Sequence, residues 1–227
     1  MSKKEQEEVI VDVEEVYSKT EKYIEENKNS LSIIIGAVLV VVAGYFGYKY
    51  MYVEPLEQEA QEQIWKAEQY FEQDSFRLAL NGDGNYFGFL QIADNYSVTK
   101  TGNLANYYAG ICYLRLGDYN NAIEYLKNFD SDDALVAPVA SGAIGDAYME
   151  LGNTREAIDF YLKAANQSKN NFTSPIYYMK AAMAYESLND YKNSADIYEI
   201  LIKDFSDTKE GRMAVKYLAR AKAKMSV

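Results

Sequence analysis

YYAGICYLRLGDYNNAIEYL, residues 107–126, reads as two helices and the turn between them. Gly117 sits where the first helix must stop, because glycine accepts the positive φ that ends a helix. Gly110, seven residues earlier, is small enough to let the two helices approach closely. Tyr113 is sized to fill the gap beside the turn. The same arrangement recurs in GAIGDAYMELGNTREAIDFYLKA (142–164) and in MKAAMAYESLNDYKNSADIY (179–198). Aligning Leu116-Gly117-Asp118-Tyr119, Leu151-Gly152-Asn153-Thr154 and Leu188-Asn189-Asp190-Tyr191 gives periods of 35 and 37 residues. Self-similarity at such a period is the mark of a stacked helical array, in which each unit buries one face on its neighbour.

These residues resemble the tetratricopeptide repeat, a helix–turn–helix unit. The small residue on its first helix matches Gly110, Gly145 and Ala182, and the following aromatic matches Tyr113, Tyr148 and Tyr185. The turn glycine matches Gly117 and Gly152, with Asn189 departing. The second-helix alanine matches Ala122 and Ala157, with Ser194 departing, and the family's late proline is absent. The reading is an all-α chain with repeats over 103–136, 138–172 and 175–206. A degenerate leading pair is expected over 55–100, from Gln58 to Leu80 and from Asn85 to Tyr96. A capping helix is expected over 207–227.

Ahead of the repeats lies LSIIIGAVLVVVAGYFGY (31–48), eighteen residues without a charge. With 49–53 it is long enough to span a bilayer. It predicts a single transmembrane anchor over 31–53, with a joint at Pro55. Lysines are in excess on the N-terminal side, which favours that end inside. Ser32, Gly36, Ala43 and Gly47 fall on one face, with Gly44 beside them. In lipid such a stripe allows close helix contact. Tyr45, Tyr48, Tyr50 and Tyr52 form an interfacial aromatic belt. The tail, 1–30, carries nine acidic and five basic residues. Its first eight residues are expected to be disordered, and a short amphipathic helix is expected from Val9, with a capping box at Ser18-Lys-Thr-Glu21.

Composition excludes much chemistry. There is no histidine and one cysteine among 227 residues, so imidazole catalysis, thiolate zinc and an intrachain disulfide are out. The net charge of −11 speaks against a nucleic-acid partner. No phosphate loop or hydrolase motif is present, so neither an enzyme nor a cofactor is expected. Asn81-Gly-Asp-Gly-Asn85 lacks the closing glutamate of a calcium loop and reads as a turn. Residues 207–227 carry six basic and two acidic groups, with Lys209, Arg212, Lys216, Arg220 and Lys224 on one face. That face suits helix-dipole complementarity, acidic lipid headgroups or an acidic partner.

Binding remains. In the repeat family the inner face of each first helix lines a groove. The matching positions are Tyr107, Ile111 and Arg115, then Asp146, Met149 and Glu150, then Met179, Met183 and Glu186. The methionines make an adaptable lining suited to extended or partly unfolded segments. The acidic tail, the single anchor and the short repeat domain together resemble the YfgM-type ancillary subunits of the bacterial Sec translocon. The stretches carrying the likeness are 18–29, 67–84 and 102–117. That resemblance implies a bacterial inner-membrane protein with its N-terminus cytoplasmic and its repeats periplasmic. It implies as partners the translocon channel subunits, a membrane-anchored peptidyl-prolyl isomerase chaperone and secreted client chains, alongside membrane lipid. The same layout would serve an envelope scaffold for cell-wall or outer-membrane assembly machinery.

Overall fold

A computed structural model of the chain describes residues 13–226, with side chains from residue 21 onward. The disorder expected for Met1 to Glu8 and the pattern starting at Val9 lie outside the described residues. Two compact units divide the chain, Met1–Glu54 and Pro55–Val227. Among the described residues every regular element is helical.

The first unit is α1 (Val13–Tyr48) followed by a π-helical turn, Lys49–Val53. Helix α1 runs without a break through Ser18 to Glu21, so no helix begins at the capping box expected there. Nothing between Val13 and Ile35 is a Pro or Gly, and the asparagines near residue 28 weaken a helix too little to end it. The apolar stretch of α1 is long enough to cross a membrane, and none of it is buried. At its C-terminal end Phe46 stacks on Tyr50 and Tyr48 lies on Tyr52, ring centroids 6.0 and 5.4 Å apart.

The second unit opens with α2 (Glu54–Glu72), α3 (Phe76–Asn81) and α4 (Phe89–Asn95). Three helix pairs follow: α5 (Lys100–Leu116) with α6 (Tyr119–Asn128), α7 (Val136–Glu150) with α8 (Thr154–Gln167), and α9 (Ser174–Ser187) with α10 (Tyr191–Asp204). Helix α11 (Lys209–Met225) packs on α10 and α9. Each pair turns through a left-handed residue, Gly117 (φ 80°), Gly152 (φ 76°) or Asn189 (φ 59°). At each turn an N–H reaches back to a tyrosine carbonyl: Asp118 to Tyr113, Asn153 to Tyr148, Asp190 to Tyr185, all at 2.9 Å. Within a pair, the first helix approaches the second where its side chain vanishes. A Cβ at Gly110 would sit 2.5 Å from Leu126 Cγ, and one at Gly145 would sit 2.6 Å from the Tyr161 ring.

The leading pair differs from its expected form. Asp74 (φ 55°) takes the turn position, and Ser75 N–H returns to the Tyr70 carbonyl at 2.8 Å. Counting from that turn, Ala67, Tyr70 and Ala79 occupy the places of Gly110, Tyr113 and Ala122, and both alanines are fully buried. So α2 and α3 form a fourth unit in register. Its second helix stops at Asn81 and the chain resumes as α4, with a loop between. In that loop the Asp83 carboxylate accepts from the Asn85 and Tyr86 N–H groups at 2.9 Å and from Tyr70 Oη at 2.8 Å. Those bonds hold the carboxylate below its usual range, with the Tyr70 hydroxyl the main cause. Glu57 of α2 accepts from Thr101 N–H and Oγ1 and so caps α5 from the preceding unit.

Candidate protein-binding groove

A cleft of about 740 Å³ opens along the first helices of the three regular repeats. Each of these helices contributes from the same register. Six residues before the turn come Ile111, Asp146 and Met183; three before come Leu114 and Met149; two before come Arg115 and Glu150. Of the nine residues expected to line a groove, Ile111, Arg115, Asp146, Met149, Glu150 and Met183 meet here. Met183 is 44 % exposed, an unsheathed thioether on the rim.

The other three turn elsewhere. Tyr107 is half-buried between Tyr108 and Phe129, with centroids 5.7 and 5.3 Å away. Met179 is 7 % exposed and packs in the core with Tyr178 and Tyr198. Both lie ten residues before their turns, where first helices of adjacent repeats touch each other. Gly142 occupies that position in the middle repeat, and a Cβ there would collide with the Tyr177 ring. Glu186 is held away from the cleft by α11. Its carboxylate accepts from Arg220 Nη2 at 2.6 Å and from Tyr198 Oη at 3.0 Å.

Among the lining residues that the sequence pattern does not single out, Lys180, Tyr161 and Tyr177 organise the middle of the cleft. Lys180 Nζ donates to both Asp146 oxygens at 2.7 and 2.8 Å, and Tyr161 Oη donates to Oδ1 at 2.7 Å. The ammonium also lies over the Tyr161 and Tyr177 rings, 5.6 and 5.7 Å from their centroids. Burial, then the Asp146 bond, pushes the Tyr161 hydroxyl far above its ordinary value, so it remains a donor. Burial, then the nearby Asp146 carboxylate, pushes Tyr177 up to about 12. Lys180 could have been noticed as the one charge on α9 before Glu186. Tyr161 and Tyr177 answer to the paired small residues Gly142 and Gly145 on α7.

This gives the cleft a mixed character. Asp146 and Lys180 satisfy each other. Ile111, Leu114, Met149 and Met183 supply an apolar surface between that pair and the rim. Arg115 forms no ion pair among the described residues, and Glu150 accepts only a long 3.4 Å bond from Tyr119. No group of metal-ligating side chains occurs among the described residues. Cys112 is buried, and burial pushes its thiol up to about 12, out of the nucleophilic range. The surface suits adhesion to a polypeptide.

Comparison with known proteins agrees with the fold. Matches to the tetratricopeptide repeat family cover residues 104–132, 140–171 and 177–208. No curated protein matches the chain. Crystal structures of nearly identical TPR-like repeats, ascribed to kinesin light chain in Podosopora anserina, superpose on it. One has a TM-score of 0.56 at 15 % identity, covering 74 % of this chain and 87 % of that one. A variant of the same repeats gives 0.54 at the same identity and coverage. The chain thus carries tetratricopeptide repeats over residues 104–132, 140–171 and 177–208, in a fold that typically serves protein–protein interaction.

Proposed function

We propose that this chain is a non-catalytic adaptor of the bacterial Sec protein-translocation machinery. On this reading α1 is a single-pass anchor in the inner membrane, with the N-terminus cytoplasmic and the repeats periplasmic. The cleft receives translocon partners, a membrane-anchored peptidyl-prolyl isomerase chaperone or emerging secreted chains. The observation that carries the reading is the make-up of the cleft. Its apolar surface is methionine-rich and partly exposed, and flexible thioethers accommodate varied side chains. Its central charges are already paired, so they impose little selection on the segment that lies across them.

The anchor supplies a second contact. Adding a Cβ at Gly36, Gly44 or Gly47 meets nothing within 4 Å, and Ser32 and Ala43 are exposed on the same helix. A neighbouring membrane helix could approach this stripe closely. The test is purification of a tagged full chain in mild detergent. Translocon channel subunits are expected to co-purify, and recovery of none of them ends the proposal. Gly36→Leu with Gly47→Leu is expected to lower that recovery; unchanged recovery removes the stripe as the contact.

A further inference from the structure

The two ends of the repeat stack are used by neither the cleft nor the anchor. At the far end, α11 is built as a first helix. Thr208 Oγ1 accepts from Gly211 N–H at 3.0 Å and donates to the Phe205 carbonyl at 2.8 Å. Thr99 makes the same two bonds, with Gly102 N–H and the Tyr96 carbonyl, at the start of α5. In that shared register Ala219 falls at the place of Gly110, where a second helix packs in every complete unit. Here it is exposed, with Val215 beside it at 58 %. No second helix covers this face among the described residues.

The charges of the two end helices are opposite. Helix α11 carries six basic residues and one acidic, net +5, while α2 carries six acidic and one basic, net −5. Arg220 and Lys222 are committed to Glu186 and Glu199. Lys209 and Lys216 are exposed on the open face and enter no ion pair among the described residues. On α2, Glu57 and Glu59 face inward partners, whereas Gln58, Glu62 and Glu72 are exposed. Amid them Trp65 is 43 % exposed, its ring edge-on to Tyr86 at 5.7 Å.

We propose that these ends pair between copies: the acidic α2 face of one chain docks on the basic α11 face of the next. Trp65, whose ring already lies under Lys66 of its own helix at 5.5 Å, seats its exposed edge on the shelf of Ala219 and Val215, and the exposed Glu62 and Glu72 face Lys209 and Lys216. The contact joins two different patches, so it repeats head to tail and builds strings of copies.

Sedimentation velocity of the full chain in a neutral detergent tests this. Concentration-dependent species larger than the monomer are expected at about 50 mM salt and should dissolve at about 500 mM, where screening is several-fold shorter in range. Lys209→Glu/Lys216→Glu and, separately, Gln58→Lys/Glu62→Lys should each weaken association about tenfold or more while the circular dichroism stays unchanged. Mixing these two variants should restore association, because each then offers the end the other lacks. A wild-type monomer throughout the series overturns the proposal. So does association that neither variant alters, which would assign it to the anchors. A monomer that assembles only on adding phosphatidylglycerol would make α11 a lipid face and overturn it equally, as would two folded variants whose mixture stays monomeric.

Discussion

Gly142 and Tyr177 show how one missing side chain shapes the cleft. The Tyr177 ring lies where a Cβ of residue 142 would be, and it presents its face to Lys180 while burying its hydroxyl. Burial raises that hydroxyl to about 12, and Tyr108 and Tyr198 are raised as far. An unfolded tyrosine ionises near about 10. Below that value both states are protonated and the stability is complete. Between about 10 and 12 the unfolded chain has lost protons that the native chain keeps, so stability falls as pH rises. The urea midpoint should therefore be level up to about pH 9 and drop steeply from about 10 to 12. Tyr177→Phe, which removes no hydrogen bond found in the structure, should make that drop shallower. A midpoint level across the window would contradict the burial of these rings. At this scale the sequence identified the residues that lie a fixed distance before each turn, such as Ile111 and Met183. It did not identify Tyr177 or Lys180 as lining, because their place depends on Gly142 in the neighbouring repeat and on Asp146 one helix away.

Helix pairs announce themselves through their turns, and that explains what was and was not legible. Gly117 and Gly152 mark two turns openly, and Asn189 tolerates the same backbone. The fourth turn has Asp74, a poor marker, and lies 43 residues before Gly117 because the α3–α4 loop lengthens its unit. Ala67, Tyr70 and Ala79 carry the pattern all the same, but without a glycine and at the wrong spacing they read as degenerate. The physical consequence is strain at a single exposed residue. A non-glycine side chain in the left-handed region costs about 1 kcal/mol, less for Asp than for most. Asp74→Gly removes that cost and keeps the Ser75 to Tyr70 bond. It also frees the unfolded chain, which offsets part of the gain. A net stabilisation of about 0.5 kcal/mol is expected in urea unfolding of the full chain. A lower midpoint would mean that Asp74 contributes a contact that its exposed position does not suggest.

For the whole molecule the decisive property is that two unrelated contacts sit on one chain. On the proposed reading, the anchor offers a small-residue stripe to helices in lipid, and the repeats offer a cleft to polypeptides in water. Once one contact forms, the second becomes intramolecular and is governed by effective concentration, so joint engagement can exceed either affinity by about 10²–10⁴. Each contact can then be weak and exchangeable. This dictates how variants combine. Met149→Lys with Met183→Lys places two charges on the apolar surface of the cleft; Met183 is exposed but Met149 packs partly on the core, so unchanged circular dichroism of the variant is a condition of the test. That pair should reduce recovery of partners in mild detergent, as Gly36→Leu/Gly47→Leu should, and each alone should leave a measurable residue. Combined, the four substitutions should lose more than the sum of the two separate losses, because neither contact remains to hold the other in reach. Quantitative pulldown of the three variants against wild type decides the matter. Should the cleft pair alone abolish recovery while the anchor pair does nothing, the cleft is the sole binding site and α1 serves only as a tether.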